Sequence, residues 1–394
     1  MRQFRQHRGP QRWKMYSLDQ FASMFADKVR MDAYSAAIAK YVRPGDAVLD
    51  LGCGPGIFAL LACKAGARRV YAIDMNSVVD FGRQLAAANG YEEKVQFLCG
   101  DSRQVRLPER VNVVISDVRG VLPLYSHSVG TLEDARTRLL ADGGHMLPMR
   151  DTLMCAVVEV PEYYQGIADA WKSIPQLDLS AGLPLVLNGI YRERFKPEQV
   201  LSDAQPWYSL DYATGAKASA SGSVKLSAGR HGVGNGLGLW FEAQLGDGIS
   251  YCTEPRSGDT VYGHTFLPWL EPVQLQEGDI CEIDLHANLV GDDYVWRWET
   301  RIPAADKRAR SVHFRQSSFY GSVFSPSFLK KHSAEFVPVL SEAGVAERWL
   351  LQAIDGNRSL EAIAAEATQL FPQVFRRVEN AFNRVADIAE KFAR

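Results

Sequence analysis

The sequence predicts an α/β domain, followed by an antiparallel β domain and a small helical domain. The first is indicated by VLDLGCGPG at 48–56 and VYAID at 70–74, which describe a buried strand, a glycine-rich turn and a second strand ending in a carboxylate. Strand and helix patterns then alternate as far as residue 160, which is typical of a parallel sheet with both faces covered. A chain of 394 residues can bury two or three such cores.

The elements of the first domain follow in order. A helix is predicted over residues 17–42, with Ser17 and Gln20 as a capping box at its start. Strands are predicted near 47–52, 70–74, 95–100, 111–117 and 144–160, and helices near 57–66, 77–89 and 128–140.

Beyond residue 160, short alternating segments separated by Gly, Asp and Pro predict antiparallel strands. In DYVWRWE the alternation puts Trp296 and Trp298 on one face. After the strand-like segment EFVPVL, helical spacing returns around 345–354 and continues through the last 35 residues. The predicted domains are a basic flexible arm at 1–16, the α/β domain at 17–150, the β domain at 151–310 and the helical domain at 325–394.

Composition excludes several classes of function. A net charge of −2 gives no reason to expect nucleic acid binding, and no run of apolar residues is long enough to predict a signal peptide or a membrane span. The six cysteines are scattered without a C-x-x-C pair, so neither a disulfide framework nor a metal site is expected. Buried, reduced cysteines favour a cytoplasmic protein.

The glycine-rich turn indicates which ligand the α/β domain binds. Gly52, Gly54 and Gly56 follow a G-x-G-x-G spacing, whereas a dinucleotide fingerprint needs its third glycine three residues after the second. With Asp50 in the strand, the string D-x-G-x-G-x-G resembles motif I of class I S-adenosylmethionine-dependent methyltransferases. Asp74, at the end of the next strand, is placed to accept hydrogen bonds from ribose hydroxyls. The expected cofactor is therefore S-adenosyl-L-methionine.

Four segments in order resemble the protein arginine methyltransferase family: MFADKVRMDAY at 24–34, DLGCGPG at 50–56, LPERVNVVISDVRG at 107–120 and ARTRLLADGGHMLP at 135–148. The resemblance covers residues 15–160 and, more loosely, the region 161–305. It implies a Rossmann-like methyltransferase domain followed by a β-barrel that binds the substrate. In that family an arginine on the first helix holds the methionine carboxylate, a task suited to a guanidinium that never deprotonates. The resemblance implies these cofactor-binding residues: Met24, Arg30, Asp50, Gly52, Gly54, Asp74, Asp101 and Ser102.

The loop that receives the acceptor departs from the family pattern. Arginine methyltransferases carry two glutamates nine residues apart, where this sequence has Asp117 and the uncharged Ser126. Arg119 stands where the family usually has methionine, so the loop is expected to repel a guanidinium and favour an acidic acceptor such as a carboxylate. For the family's later His-Trp pair the nearest candidate is His264, with a threonine in place of the tryptophan.

Three functions are compatible with this loop. The first is methylation of another acceptor on a peptide or protein, with His127 or His264 as general base. The second is arginine methylation by Asp117, with a second carboxylate from elsewhere in the chain. The third is a peptide-binding protein without catalytic activity.

The last 70 residues resemble the winged-helix peptide-binding domain of pyrroloquinoline quinone biosynthesis, also known as a leader-peptide recognition element. Its string is GVAERWLLQAIDGNRSLEAIAAEATQLFP. The resemblance implies capture of an extended leader by strand addition, and hence a ribosomally made precursor peptide as substrate. The same helical spacing fits a domain that only packs or dimerises, and a homodimer is usual in the arginine methyltransferase family.

Overall fold

The computed structural model describes residues 16–125, 127–174, 176–258, 260–291, 293–303, 311–323, 325–331 and 333–393. Most of the predicted basic arm and Ser126 lie outside these residues. The chain divides into two compact units, one ending at Val323 and the other beginning at residue 324. No helix within the described ranges is long and apolar enough to cross a membrane.

The first five strands form a parallel sheet in the order β3-β2-β1-β4-β5. The strand predicted at 144–160 is wrong as a single element, because the chain leaves this sheet at Pro148. Proline has no N–H to donate to a strand ladder, and the following residues join an antiparallel sheet as β6. The bounds are Ala47–Leu51 (β1), Arg69–Asp74 (β2), Val95–Cys99 (β3), Val111–Ser116 (β4), Leu140–Leu147 (β5) and Arg150–Val158 (β6).

The helix predicted over 17–42 is two helices that meet at Asp27. The backbone of Asp27 is extended (φ −69°, ψ 91°), and its carboxylate caps the second helix by accepting from the Arg30 N–H. The capping box of Ser17 and Gln20 is confirmed. The helices are Leu18–Ala26 (α1), Lys28–Tyr41 (α2), Ile57–Lys64 (α3), Val79–Ala88 (α4) and Ser128–Asp134 (α5), with a π-helical turn at Ala135–Leu139.

The region after the parallel sheet forms antiparallel sheets, as predicted. One sheet has the order β10-β6-β12-β14-β9, with β13 paired to β12, and a second has the order β11-β15-β16-β17. Trp296 and Trp298 both lie on the buried face. The remaining elements of this unit are α6 (Pro161–Ala168), β7 (Ser173–Ile174), β8 (Leu177–Asp178), α7 (Leu183–Leu187), β9 (Tyr191–Glu193), β10 (Gln205–Asp211), β11 (Ala220–Ser227), β12 (Gly232–Gly246), β13 (Ile249–Cys252), β14 (His264–Leu275), β15 (Ile280–Val290), β16 (Asp293–Ile302) and β17 (Val312–Ser317).

Buried side chains of the parallel sheet and of the antiparallel region belong to one continuous hydrophobic cluster. The two sheet systems therefore share a core, and groups at their junction are held from both sides. This junction contains the acceptor loop that follows β4.

The second unit consists of helices α8 (Pro326–Lys331), α9 (Glu342–Ala353), α10 (Leu360–Leu370) and α11 (Val378–Phe392). It has its own small core, which includes Leu350, Ile363 and Val385. The strand expected at EFVPVL is wrong: the segment pairs with no strand in the part of the chain that the structure describes, and Val337 and Val339 are 80% and 88% exposed. The described residues of this unit offer no strand edge, so the leader-capture role based on strand addition loses its structural basis.

Candidate functional site

The glycine-rich turn connects β1 to α3 at the carboxyl edge of the parallel sheet. The Gly54 N–H donates to Oδ2 of Asp74 (2.9 Å), and Oδ1 of Asp74 accepts from the Asn76 N–H (2.9 Å) and its side-chain amide (3.0 Å). A carboxylate can accept about four hydrogen bonds, so Asp74 retains capacity for a further donor. This is the edge of an open α/β sheet where ligands bind.

At two positions of the turn, the backbone conformation and the close approach of neighbouring side chains require glycine. Gly52 and Gly54 have φ of 72° and 53°, a left-handed conformation that glycine adopts most readily. A Cβ on Gly52 would lie 2.3 Å from Val118 of the acceptor loop, and one on Gly54 would lie 2.7 Å from the Phe21 ring of α1. The turn is thus in close contact with both α1 and the acceptor loop.

Asp50 lies buried beneath this turn. Its Oδ2 accepts from the Ala59 N–H (2.8 Å), whereas Oδ1 has no hydrogen-bond partner among the described residues. Burial raises the pKa of Asp50 to about 7. An unpartnered acceptor beside the turn is consistent with a site completed by a polar ligand.

Arg30, near the start of α2, points toward the same region. Its Nε forms an ion pair with Asp117, its Nη1 donates to the Met24 carbonyl (3.1 Å), and its guanidinium lies 5.0 Å from the Phe58 ring centroid. Nη2 makes no hydrogen bond to any residue in the described ranges. This nitrogen is therefore available for an anionic group such as a cofactor carboxylate.

Asp101 and Ser102 follow β3. The Gly100 N–H donates to the Asp74 carbonyl (2.8 Å), which brings this loop beside the end of β2. The Asp101 carboxylate is paired with Arg103 (2.9 Å), and the side chain of Ser102 is buried. Asp101 is thus oriented by its own loop.

Asp117 follows directly after β4, and its side chain is 6% exposed. Its carboxylate contacts Arg30, Nη2 of Arg119 (3.1 Å) and the hydroxyl of Tyr262 (2.7 Å to Oδ1 and 2.6 Å to Oδ2). Burial alone would raise the pKa of Asp117, but the two guanidinium groups outweigh it and lower the pKa to about 2. Asp117 is therefore a fixed negative charge and a weak base.

Arg119, which the sequence analysis expects to repel a guanidinium, is paired within the core. Its side chain is 1% exposed and points into the junction of the two sheet systems. Nη1 donates to Asp151 of β6 (2.8 Å), and Nη2 donates to the hydroxyls of Tyr34 (2.6 Å) and Tyr251 (2.7 Å). The Asp151 carboxylate compensates the charge that Arg119 adds to the loop.

Both ring nitrogens of His264, a candidate for the general base, have partners within the protein. Its Nδ1 accepts from the Phe195 N–H (2.9 Å), its Nε2 lies 2.9 Å from the Thr253 carbonyl, and its ring stacks on Phe195. Burial lowers the pKa of His264 to about 4. His127 is half-buried at the start of α5, beside Ser126, which the described residues do not include.

Sequence reasoning missed Tyr262, the residue that contacts Asp117 from the antiparallel region. The Val261 N–H donates to Asp27 (2.9 Å), and the Val261 carbonyl accepts from Arg192, so the segment carrying Tyr262 is held on both sides. Tyr262 lies two positions before His264. No local pattern in the sequence links Tyr262 to Asp117, because the two residues lie 145 positions apart.

Comparison with known proteins adds to this geometry. The family model "Ribosomal protein L11 methyltransferase (PrmA)" matches residues 35–144. The probable protein arginine N-methyltransferase 6.1 of Oryza sativa subsp. indica is 28% identical over 298 residues, which cover 66% of this chain and 78% of that protein. Protein arginine N-methyltransferase 1 of Saccharomyces cerevisiae is 29% identical over 272 residues, with the same two coverages. The chain is an S-adenosylmethionine-dependent methyltransferase.

Solved structures agree on the fold of this methyltransferase. The Trypanosoma brucei PRMT1 enzyme–prozyme heterotetrameric complex with AdoHcy matches with a TM-score of 0.70 at 23% identity, over 75% of this chain and 97% of that one. Arabidopsis thaliana protein arginine methyltransferase 10 matches with a TM-score of 0.67 at 23% identity, over 77% and 97%. The Rossmann-like sheet and the antiparallel region of the methyltransferase are thus a known combination.

Proposed function

We propose that this enzyme methylates a guanidino nitrogen of arginine in a protein or peptide. The observation that carries the proposal is the buried, ionised carboxylate of Asp117, which lies between Arg30 and Tyr262 beside the glycine-rich turn. A carboxylate in a water-poor site attracts a guanidinium strongly and fixes its orientation. Two relatives carry the names probable protein arginine N-methyltransferase 6.1 and protein arginine N-methyltransferase 1, and this supports the same acceptor here.

In this proposal the cofactor is held by side chains from four elements around the turn. Nη2 of Arg30 takes the cofactor carboxylate, the backbone of Gly52 and Gly54 approaches its methionine part, and Asp74 takes the ribose. Met24, Asp50, Asp101 and Ser102 complete the cofactor site.

S-adenosylmethionine supplies an electrophilic methyl group on sulfur. The new N–C bond forms as the C–S bond breaks, and the guanidinium gives up one proton to solvent. Asp117 aligns the acceptor nitrogen and stabilises its positive charge, whereas its low pKa makes it a poor proton acceptor. Alignment, rather than base strength, is the contribution of this carboxylate.

The test uses three peptides that differ at one position, which is arginine, lysine or glutamate in an otherwise glycine-rich sequence. We expect one or more added methyl groups on the arginine peptide alone, detected by mass spectrometry, with the modified nitrogen located by fragmentation. Asp117→Asn should lower kcat/KM by roughly 100-fold, the usual cost of removing one charge-stabilising group. Glu109→Gln, which alters a surface carboxylate paired with Arg68, is the control and should leave activity unchanged.

Methylation of the glutamate peptide, with a product that alkali hydrolyses as an ester, would refute the arginine proposal. Full activity of Asp117→Asn on arginine would refute the role of the carboxylate. Binding of S-adenosylhomocysteine to each variant, measured by calorimetry, separates loss of acceptor binding from loss of cofactor binding through Arg30.

A further inference from the structure

Arg119 is anchored by three elements that lie outside the acceptor loop. Asp151 belongs to β6, Tyr34 to α2 and Tyr251 to β13, and all three are buried. The ring of Phe241, on β12, lies 5.2 Å from the guanidinium carbon. The position of this guanidinium is therefore fixed by the core itself.

The same guanidinium also contacts Asp117, two residues earlier in the loop. Nη2 of Arg119 lies 3.1 Å from Oδ1, whereas Arg30 binds Oδ2. The four charged groups thus alternate in the order Arg30, Asp117, Arg119, Asp151, with two positive and two negative charges. If the ion pair between Arg119 and Asp151 served only to join β6 to the loop, Arg119 would need no contact with Asp117.

We propose that Arg119 is a positioning residue for methyl transfer. Held by Asp151, Tyr34 and Tyr251, it retains Oδ1 of Asp117 toward the protein interior, so that Oδ2 is the oxygen that faces the acceptor beside Arg30. This inference rests on the proposed function in one respect, since it takes Asp117 as the group that binds the acceptor. It gives Arg119 a role opposite to repulsion of a guanidinium.

Arg119→Met alone leaves the Asp151 carboxylate buried without a cation and is expected to destabilise the fold. The test variant is therefore Arg119→Met combined with Asp151→Asn, which removes both charges and keeps an acceptor for the Tyr212 hydroxyl. Arg136→Met is the control, because Arg136 is paired with Glu133 and has no contact with Asp117.

Two measurements separate positioning from mere structural support. In the presence of S-adenosylhomocysteine, the double variant should bind the arginine peptide roughly 10-fold more weakly or worse, because one charge-assisted contact no longer fixes Asp117. Its affinity for S-adenosylhomocysteine should stay within about twofold of wild type, since Arg30 and the glycine turn are unchanged. Arg119→Lys, which keeps the charge next to Asp151, should restore part of the peptide affinity.

The second measurement does not depend on the acceptor. Asp117→Asn is introduced into the wild type and into the double variant. In each case, the change in unfolding free energy that this substitution causes is measured as a function of pH. Its pH dependence reports the titration of Asp117. Stabilisation by the ionised carboxylate is lost as pH falls through the folded-state pKa, and removing Arg119 should move that loss to higher pH. If the stabilisation by Asp117 is lost at the same pH in both proteins, the contact between Arg119 and Asp117 is refuted, whichever acceptor the enzyme uses. If the enzyme methylates arginine but the double variant binds the arginine peptide as tightly as wild type, the positioning role of Arg119 is refuted and the proposed function is not.

Discussion

The contact between Gly54 and Phe21 leads to a specific prediction about cofactor binding. Gly54→Ala puts a Cβ at 2.7 Å from Cε1 of Phe21, whereas two carbon atoms normally keep about 3.5 Å. The ring must therefore retreat by roughly 0.8 Å, which α1 can provide by moving away from the turn. The left-handed backbone of Gly54 (φ 53°) adds about 1 kcal/mol of strain for alanine.

Gly90→Ala supplies a matched control. Gly90 has a similar φ of 71°, but a Cβ there would have no neighbour within 4 Å. Gly90→Ala should lose about 1 kcal/mol of unfolding free energy in urea titrations through backbone strain, and Gly54→Ala should lose at least as much, because it carries the same strain and a contact with Phe21. Only Gly54→Ala also displaces α1, the helix that covers the turn.

In the proposed cofactor site α1 contributes Met24, and Phe21 of the same helix contacts the turn, so cofactor binding would require this helix in place. We expect Gly54→Ala to raise the dissociation constant of S-adenosylhomocysteine by roughly 10-fold, equivalent to about 1.4 kcal/mol, in calorimetric titrations. Gly90→Ala should bind it like wild type. Equal dissociation constants for the two variants would show that the approach of Phe21 to the turn has no part in binding the cofactor.

Two further predictions concern titratable groups. Because burial raises the folded-state pKa of Asp50 to about 7, ionisation opposes folding, and Asp50→Asn should gain about 3 kcal/mol over wild type as pH rises from about 4 to about 7. Urea unfolding across this range measures the gain, and a pH-independent difference would contradict it. His264→Gln should leave the pH dependence of kcat between about 6 and 8 unaltered, because the pKa of His264 is about 4, and it should cost about 1–2 kcal/mol of stability by disturbing the acceptor for the Phe195 N–H. If the variant lost a step near neutral pH in the pH dependence of kcat, His264 would again be a candidate for the general base.

The parts of the fold that the sequence predicted depend on local chemistry. The capping box of Ser17 and Gln20 and the turn at 52–56 are set by neighbouring residues, so composition and spacing were sufficient to predict them. The break at Asp27 escaped prediction because apolar periodicity continues across it. The segment EFVPVL has strand-like residues but no partner strand, and pairing is a long-range property that local propensity does not report.

The candidate site divides in the same way. The glycine turn, Asp74 and Arg30 occur as recognisable local patterns, whereas Tyr262 contacts Asp117 across 145 residues and no pattern links the two. The register of the antiparallel strands determines that contact, and the sequence alone gave no means of choosing Tyr262 over His264.

The acceptor loop illustrates why a charge in a sequence cannot be assigned an effect before its partner is known. Taken alone, the exchange of methionine for Arg119 adds a positive charge to a loop that has lost a carboxylate. In the folded chain Asp151 lies 2.8 Å from that guanidinium and compensates it within the core. Asp117 is in turn paired with Arg30 and Arg119, so the four charged groups balance one another in the folded chain. In the mechanism proposed above, the arginine that argues against a guanidinium acceptor in the sequence instead positions the carboxylate that binds one.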